Sequence, residues 1–394
     1  MSKAISKKAF KNTGSSLAFQ LNEEASRRLK NGDKVLNVCI GSFFDDDNNL
    51  ISFNKLDEIV KNNVGDNSKK YASIDGGEPF KTNVSKQVFR NYYDELNKKF
   101  FIRSCATPGG TGALFLAFKN YIDENPILLP NIGWGNYKSL CANLGKTYET
   151  YSVFEGENFD VDGLLEKAKR SLETYSYCSV LINDPCENPT GYCLTDNEIQ
   201  RIIDGLNKLA KKGTVNLILD IAYIEYSEEP LRFFKHLNNT KCDFFTLVCF
   251  SASKLFGIYG YRLGALVCLA NDEENAKDFE NSSDATSRAC WSNINHLAIN
   301  AFNDYFKDER LRKELIEYSK KGRIILQKRY LEARKMFDPL IGNKPLPYMD
   351  GFFIVYEKEN ANEFCKQLVK EKNIYALPLE NKYIRVSICS FVNK

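Results

Sequence analysis

Phe250-Ser-Ala-Ser-Lys254-Leu-Phe-Gly-Ile-Tyr-Gly-Tyr-Arg262-Leu-Gly264 joins two apolar runs, Phe244 to Phe250 and Ala265 to Leu269, that read as buried strands. Between the runs lie two serines, one lysine, glycines and one arginine. Ser251, Ser253 and Arg262 are donors of the kind that an anion with several oxygens accepts. Lys254 has apolar chain neighbours in Leu255, Phe256 and Ile258. Desolvation by such groups lowers the pKa of an amine and makes it a usable nucleophile or base. Taken alone, such a string is more often a solvated loop, so the rest of the chain decides.

The unit just upstream repeats the pattern of strand, polar turn and helix. Val180-Leu-Ile reads as a strand, and the turn Asn183-Asp-Pro-Cys-Glu-Asn188-Pro189-Thr190-Gly191 is kept out of helix by its prolines. Thr195 with Glu198 forms a capping box, Ile199, Ile202, Ile203, Leu206 and Leu209 recur at helical spacing, and Gly213 ends the helix. Val215 to Leu219 is the next strand, closing on Asp220-Ile-Ala-Tyr223. Asn188 thus follows one strand, Asp220 and Tyr223 a second, and Ser251, Ser253 and Lys254 a third. In an open parallel sheet the carboxyl ends of all three lie on one edge, where such folds bind ligands.

Further upstream, Thr107-Pro-Gly-Gly110-Thr111-Gly112 opens an apolar helix, and the free N–H groups of such a turn favour an anion. It lacks the Gly-Lys-[ST] of a Walker loop and the Gly-x-Gly-x-x-Gly of a dinucleotide fold. A strand from Ile127 to Leu129 leads to Gly133-Trp134-Gly-Asn-Tyr137. Tyr71-Ala-Ser-Ile-Asp75-Gly76-Gly77 precedes a helix expected over 80–98. Before it come a polar lead-in, a helix over 15–30 and a strand from Val35 to Ile40 ending at Gly41. Asp45-Asp46-Asp47 lacks the glycine and terminal glutamate of a calcium loop and reads as a solvated turn. Downstream, Arg288 lies in Ser287-Arg-Ala-Cys-Trp291-Ser-Asn293, followed by long amphipathic helix over 301–337. Gly351 to Tyr356 and Tyr383 to Ile388 are strands around a helix over 362–371. In the last strand Ile384 and Val386 alternate with Arg385, which falls on the polar face. The change from α/β to α+β patterning predicts a large domain over 46–304 and a smaller one from 1–45 with 305–394.

A chain of 394 residues, 43% apolar, is long enough for both. The net charge is +3, spread along the chain, and no nucleic-acid motif appears. Met1 to Lys8 has no apolar segment of a secretory signal, and no run reaches membrane-spanning length. Twelve cysteines without a Cys-x-x-Cys pair, and His236 and His296 as the only histidines, point away from disulfides and His-based metal sites. Reduced, mostly buried thiols in a cytoplasmic protein are expected.

As a set, these motifs resemble the aspartate aminotransferase family of pyridoxal-phosphate enzymes, fold type I. Ser-x-Ser-Lys254 with Arg262 eight residues on, Asn188-Pro-Thr-Gly, Asp220-x-Ala-Tyr223, Tyr71-x-x-Ile-Asp-Gly, Trp134-Gly-Asn and Arg288-x-x-Trp-Ser-Asn all match family segments. The resemblance spans about Gly41 to Arg385 and implies a mostly parallel seven-stranded sheet between helices, plus the smaller α+β domain. It implies pyridoxal 5′-phosphate as cofactor, with Lys254 as the Schiff-base lysine, Asp220 at the pyridine nitrogen, and Asn188 and Tyr223 at the ring hydroxyl. Trp134 would stack on the ring. Gly110, Thr111, Ser251, Ser253 and Arg262 would hold the phosphate, joined by Tyr71 of a second subunit. Arg385 and Arg288 would grip substrate carboxylates, with Gly41, Trp134 and Asn188 beside them. The activity implied is transfer of an amino group between an aspartate-, glutamate- or aromatic-type amino acid and a 2-oxo acid, by a homodimer with shared sites. Two departures stand out: Tyr137 and Asn183 occupy places where many aspartate aminotransferases carry histidine. Rival readings are a C–S β-lyase or decarboxylase on the same scaffold, and a cofactor-sensing regulator. The regulator would need a helix-turn-helix module that the stretch before Gly41 is too short to hold.

Overall fold

The computed structural model describes residues 16–392, and the polar lead-in expected before the first helix lies outside them. Seven strands form the main sheet: β1 (Phe101–Thr107), β2 (Ile127–Pro130), β3 (Tyr148–Tyr151), β4 (Tyr177–Asn183), β5 (Thr214–Asp220), β6 (Phe245–Ser251) and β7 (Gly264–Ala270). Their order is β1-β7-β6-β5-β4-β2-β3. The run β6-β5-β4-β2-β3 is parallel, while β7 is antiparallel to both neighbours. The central strands are near-continuous apolar runs because both faces are covered. Leu181, Ile218, Leu247 and Leu266 pack on one face with Ala113, Leu114 and Phe118. Val180, Ile182, Leu217, Leu219 and Val248 pack on the other with Ile199, Ile202, Ile203 and Leu206. Burying each such aliphatic side chain contributes about 1.5–3 kcal/mol before conformational entropy is counted.

The helices that bear on the argument are α1 (Leu17–Lys30), α2 (Phe80–Phe89), α3 (Gly109–Tyr121), α4 (Asn136–Leu144), α5 (Asp196–Ala210), α6 (Glu273–Cys290), α7 (His296–Lys307), α8 (Glu309–Ile341) and α9 (Ala361–Lys372); the described residues also form helices at Lys55–Asn63, Tyr93–Lys99, Val161–Tyr175 and Arg232–Asn239, besides shorter turns. The capping box at α5 is complete: the Thr195 side chain accepts from Glu198 N, and the Glu198 carboxylate accepts from Thr195 N. The helix expected over 80–98 is broken. Arg90 adopts φ 48°, which ends α2, and its guanidinium pairs with the buried Glu225 carboxylate before helix resumes at Tyr93–Lys99.

A second sheet of β8 (Phe353–Glu357), β9 (Leu377–Leu379) and β10 (Tyr383–Ser387) is antiparallel in the order β8-β10-β9. The expected strand from Val35 to Ile40 is shorter, with Leu36–Asn37 alone pairing in parallel with Ile374–Tyr375. That pairing ties the chain's beginning to its end. A separate apolar cluster joins Val38 and Phe43 to Phe337, Phe353, Ile354, Ile384 and Val386, and it includes Tyr223 and Tyr226 from the turn after β5. The long α8 runs between the two cores: Leu311 and Leu315 belong to the larger, Leu326, Ala333 and Phe337 to the smaller. Eleven cysteines are buried, Cys290 is exposed, and all twelve are free thiols. No described helix is long and apolar enough to cross a membrane.

Candidate active site

The register sets the site. Asn183 pairs with Asp220 and Asp220 with Cys249, so β4, β5 and β6 end on the same edge. Gly264 of β7 lies between Ser251 and Thr107, which brings the start of α3 to that edge as well. A Cβ on Gly264 would come within 2.5 Å of the Gly109 carbonyl carbon and 2.6 Å of Phe250 O, so this close approach requires glycine.

Asp220 is buried. Its Oδ2 accepts from Tyr137 Oη at 2.7 Å and its Oδ1 from Ala222 N at 3.0 Å. Burial pushes the carboxyl up to about 6, against the opposing pull of those two donors. Asn183 braces the strand ends, donating to Asp220 O at 2.8 Å and accepting from Asn188 N at 2.8 Å. Asn188 Nδ2 donates to Tyr223 Oη at 3.1 Å, and Asn188 Oδ1 is buried without a partner. Burial raises the Tyr223 phenol above its usual range.

Lys254 reaches over this group from the turn after β6. Its Nζ donates to Gly41 O at 2.6 Å and lies 4.4, 5.5 and 5.6 Å from the ring centroids of Tyr259, Phe352 and Tyr223. Although the residue retains partial exposure, the enclosure of its amine lowers the pKa to about 8. The desolvation expected from Leu255, Phe256 and Ile258 therefore has another source. Those three side chains are buried in the large core, and the groups around the amine come from elsewhere in the chain.

At the start of α3, Gly109 has φ 74°, and a Cβ there would meet the Arg262 guanidinium at 2.4 Å. A Cβ on Gly110 would meet the Ser251 Cβ at 3.0 Å. Arg262 donates to Ser253 Oγ at 3.3 Å, Tyr259 O at 2.9 Å and Pro108 O at 3.2 Å. Gly110, Thr111, Ser251, Ser253 and Arg262 are thus neighbours at a helix N-terminus, an arrangement suited to a polyoxyanion. Arg385, on β10, is buried rather than solvated on its polar face. Its guanidinium donates to Cys39 O at 2.6 Å, lies 4.3 Å from the Phe353 ring and leaves Nε without a partner. Trp134 meets Tyr137 edge-on at 5.5 Å.

Residues 33–392 match the family model described as aminotransferase class I and II. The chain belongs to this family. It is 30% identical over 271 residues to an aspartate aminotransferase of Salmonella typhi, a match covering 66% of this chain and 65% of that protein, slightly under two thirds of its length. It is 25% identical to an aromatic-amino-acid aminotransferase of Escherichia coli K12, over 71% of this chain and 70% of that one. The crystal structure of an aminotransferase from Anaerococcus prevotii superposes with a TM-score of 0.89 at 29% identity, covering 99% of this chain and 95% of that one. Class I aminotransferases use pyridoxal 5′-phosphate.

The residues present fit that cofactor. An enclosed amine, a buried carboxylate, an unpartnered Asn188 Oδ1 and a glycine-lined anion cradle suit an aldehyde, a ring nitrogen, a ring hydroxyl and a phosphate respectively. Two further expected residues lie at the surface of the chain. Tyr71 is 88% exposed, and Arg288 is exposed with Ser292 Oγ as its partner. Sequence reading missed Tyr259 and Phe352, which wall the amine, and marked Tyr137 as a departure from the histidine that many aspartate aminotransferases carry there. The Tyr137 hydroxyl is committed to Asp220. Its place beside Trp134-Gly-Asn was the available signal.

Proposed function

We propose that the protein is a pyridoxal-phosphate-dependent aminotransferase that exchanges the amino group between an amino acid of aspartate, glutamate or aromatic type and a 2-oxo acid such as 2-oxoglutarate. The observation that carries this reading is the convergence of Lys254 Nζ, the Asp220 carboxylate and the Asn188–Tyr223 pair at one sheet edge beneath Arg385. When bound, the cofactor supplies an aldehyde carbon for amines and a ring that accepts electron density. Lys254 would hold the cofactor through its amine, and as a free amine it would take the proton from the substrate Cα. Its depressed pKa keeps a usable fraction of neutral amine near pH 7–8. Asp220 keeps a proton on the ring nitrogen. Asn188 and Tyr223 hold the ring hydroxyl, and Trp134 covers the ring. Gly110, Thr111, Ser251, Ser253 and Arg262 bind the phosphate. Arg385 pairs with the substrate α-carboxylate, which its unpartnered Nε supports, with Gly41 alongside.

Tyr71 and Arg288 enter this reading as contributions to a neighbouring site in a homodimer, Tyr71 to the phosphate and Arg288 to a distal substrate carboxylate. Their exposure supports it. A large domain over 46–304 and a smaller one over 1–45 and 305–394 belong to the same reading. So does a cytoplasmic setting, supported by the free, mostly buried thiols.

The test is the visible spectrum of the purified protein as single amino acids are added. A cofactor band that bleaches with aspartate or glutamate is expected. Bleaching with phenylalanine or tyrosine alone would assign aromatic donors and leave Arg288 without its role. Absence of a band with added pyridoxal phosphate, or a band that survives Lys254→Ala, overturns the reading.

A further inference from the structure

Tyr137 is the second residue of α4 and is fully packed, with its hydroxyl on Asp220 Oδ2 at 2.7 Å. The other Asp220 oxygen takes Ala222 N, and the Asp220 carbonyl takes Asn183 Nδ2. All three donors are neutral. The titratable groups that face Asp220 are Tyr137 from α4, Glu187 from the turn after β4, Tyr223 from the turn after β5 and Cys249 from β6. None of them is cationic. Burial and Asp220 itself hold the Tyr137 phenol well above its ordinary range, so it gives one hydrogen bond and takes up no charge.

We propose that Tyr137 is a positioning residue, whose hydroxyl fixes the Asp220 carboxylate as the acceptor for the cofactor's ring nitrogen. This rests on the aminotransferase reading and adds a residue to it. The negative charge of Asp220 is oriented by a neutral donor, which leaves the cofactor as its cationic partner. Losing the phenol strips one of two donors from a buried carboxylate, favours its protonated form and loosens its aim. The ring of Tyr137 also packs edge-on against Trp134, so packing and hydrogen bonding must be separated by the choice of variant.

The experiment compares wild type, Tyr137→Phe and Tyr137→His in two readouts: the pyridoxal-phosphate dissociation constant, from absorbance titration of the apoprotein, and kcat and KM for the amino donor. Tyr137→Phe keeps the ring and is expected to weaken cofactor binding roughly ten- to a hundredfold and to lower kcat, with KM moving less than threefold because Arg385 is untouched. Tyr137→His restores a donor and is expected to recover most of both losses. A Phe variant indistinguishable from wild type, or equal losses in both variants, overturns the inference and leaves Tyr137 a packing residue. Failure of the aminotransferase reading looks different, since wild type itself would then bind no cofactor at Lys254.

Discussion

At Lys254 the decisive quantity is the free energy of the amine, and the chain sets it through distant groups. Three aromatic rings and the Gly41 carbonyl replace water around Nζ, and burial depresses the pKa to about 8. Below that pH the amine is protonated and cannot attack a carbonyl carbon; above it the amine is free. The rate at which the apoprotein takes up pyridoxal phosphate should therefore rise with pH through a midpoint near 8, followed by stopped-flow absorbance. A midpoint above 10 would mark an ordinary solvated lysine. Arg385 is the complementary case, a buried cation with an unpartnered Nε and no carboxylate of its own among the described residues. Arg385→Leu should reduce kcat/KM about a hundredfold or more by removing a charge-assisted pair with substrate. Pyridoxal-phosphate affinity should hold within about threefold, because the cradle of Ser251, Ser253 and Arg262 is untouched. Comparable loss in both measurements would mean that Arg385 supports the site rather than the substrate.

Helix α5 shows what a single element contributes to the site. It starts directly after the Asn188 turn, and its first turn is closed by the reciprocal Thr195 and Glu198 hydrogen bonds. Thr195→Ala should cost about 1 kcal/mol, read as a lower midpoint of urea unfolding with an unchanged slope. Cofactor affinity should hold, because Asn188 is fixed by Asn183 rather than by the cap. Elements of this kind were legible in the chain because their determinants are local: the capping box and the 3.6-residue apolar period lie within twenty residues of one another, although the helix ends at Ala210, ahead of the stop expected at Gly213. The elements that were misread depend on distant partners. The helical pattern over 80–98 continues through Arg90, and the break there goes with an ion pair to Glu225, 135 residues along. The strand near Val35 is limited to the two residues that find Ile374–Tyr375. Within the site, motif spacing located Lys254, Asp220, Asn188 and Arg262. No spacing could show that Tyr137, 83 residues before Asp220, would be its hydrogen-bond donor.

Across the whole molecule, the site draws on three separated parts of the chain: the Gly41 turn, the carboxyl edge of the main sheet, and β10 near the end. Closing non-local contacts over such separations stabilises the site only when both cores are formed, so site integrity and global folding should rise and fall together. The proposed homodimer with shared sites would extend this dependence to a second chain, and mixing two impaired variants tests it directly. In that homodimer Lys254→Ala would disable the site that uses its own lysine, and Tyr71→Ala would weaken the site of the neighbouring subunit. In a mixed dimer both lesions fall on one site and the other site is wholly intact. Equal mixing with subunit exchange makes half the dimers mixed, each with one intact site, so about a quarter of the wild-type sites should be restored and activity should exceed the average of the two parents. If each chain holds a self-sufficient site, mixing yields only the average of the two parents, and the exposed Tyr71 then has no part in a neighbour's chemistry.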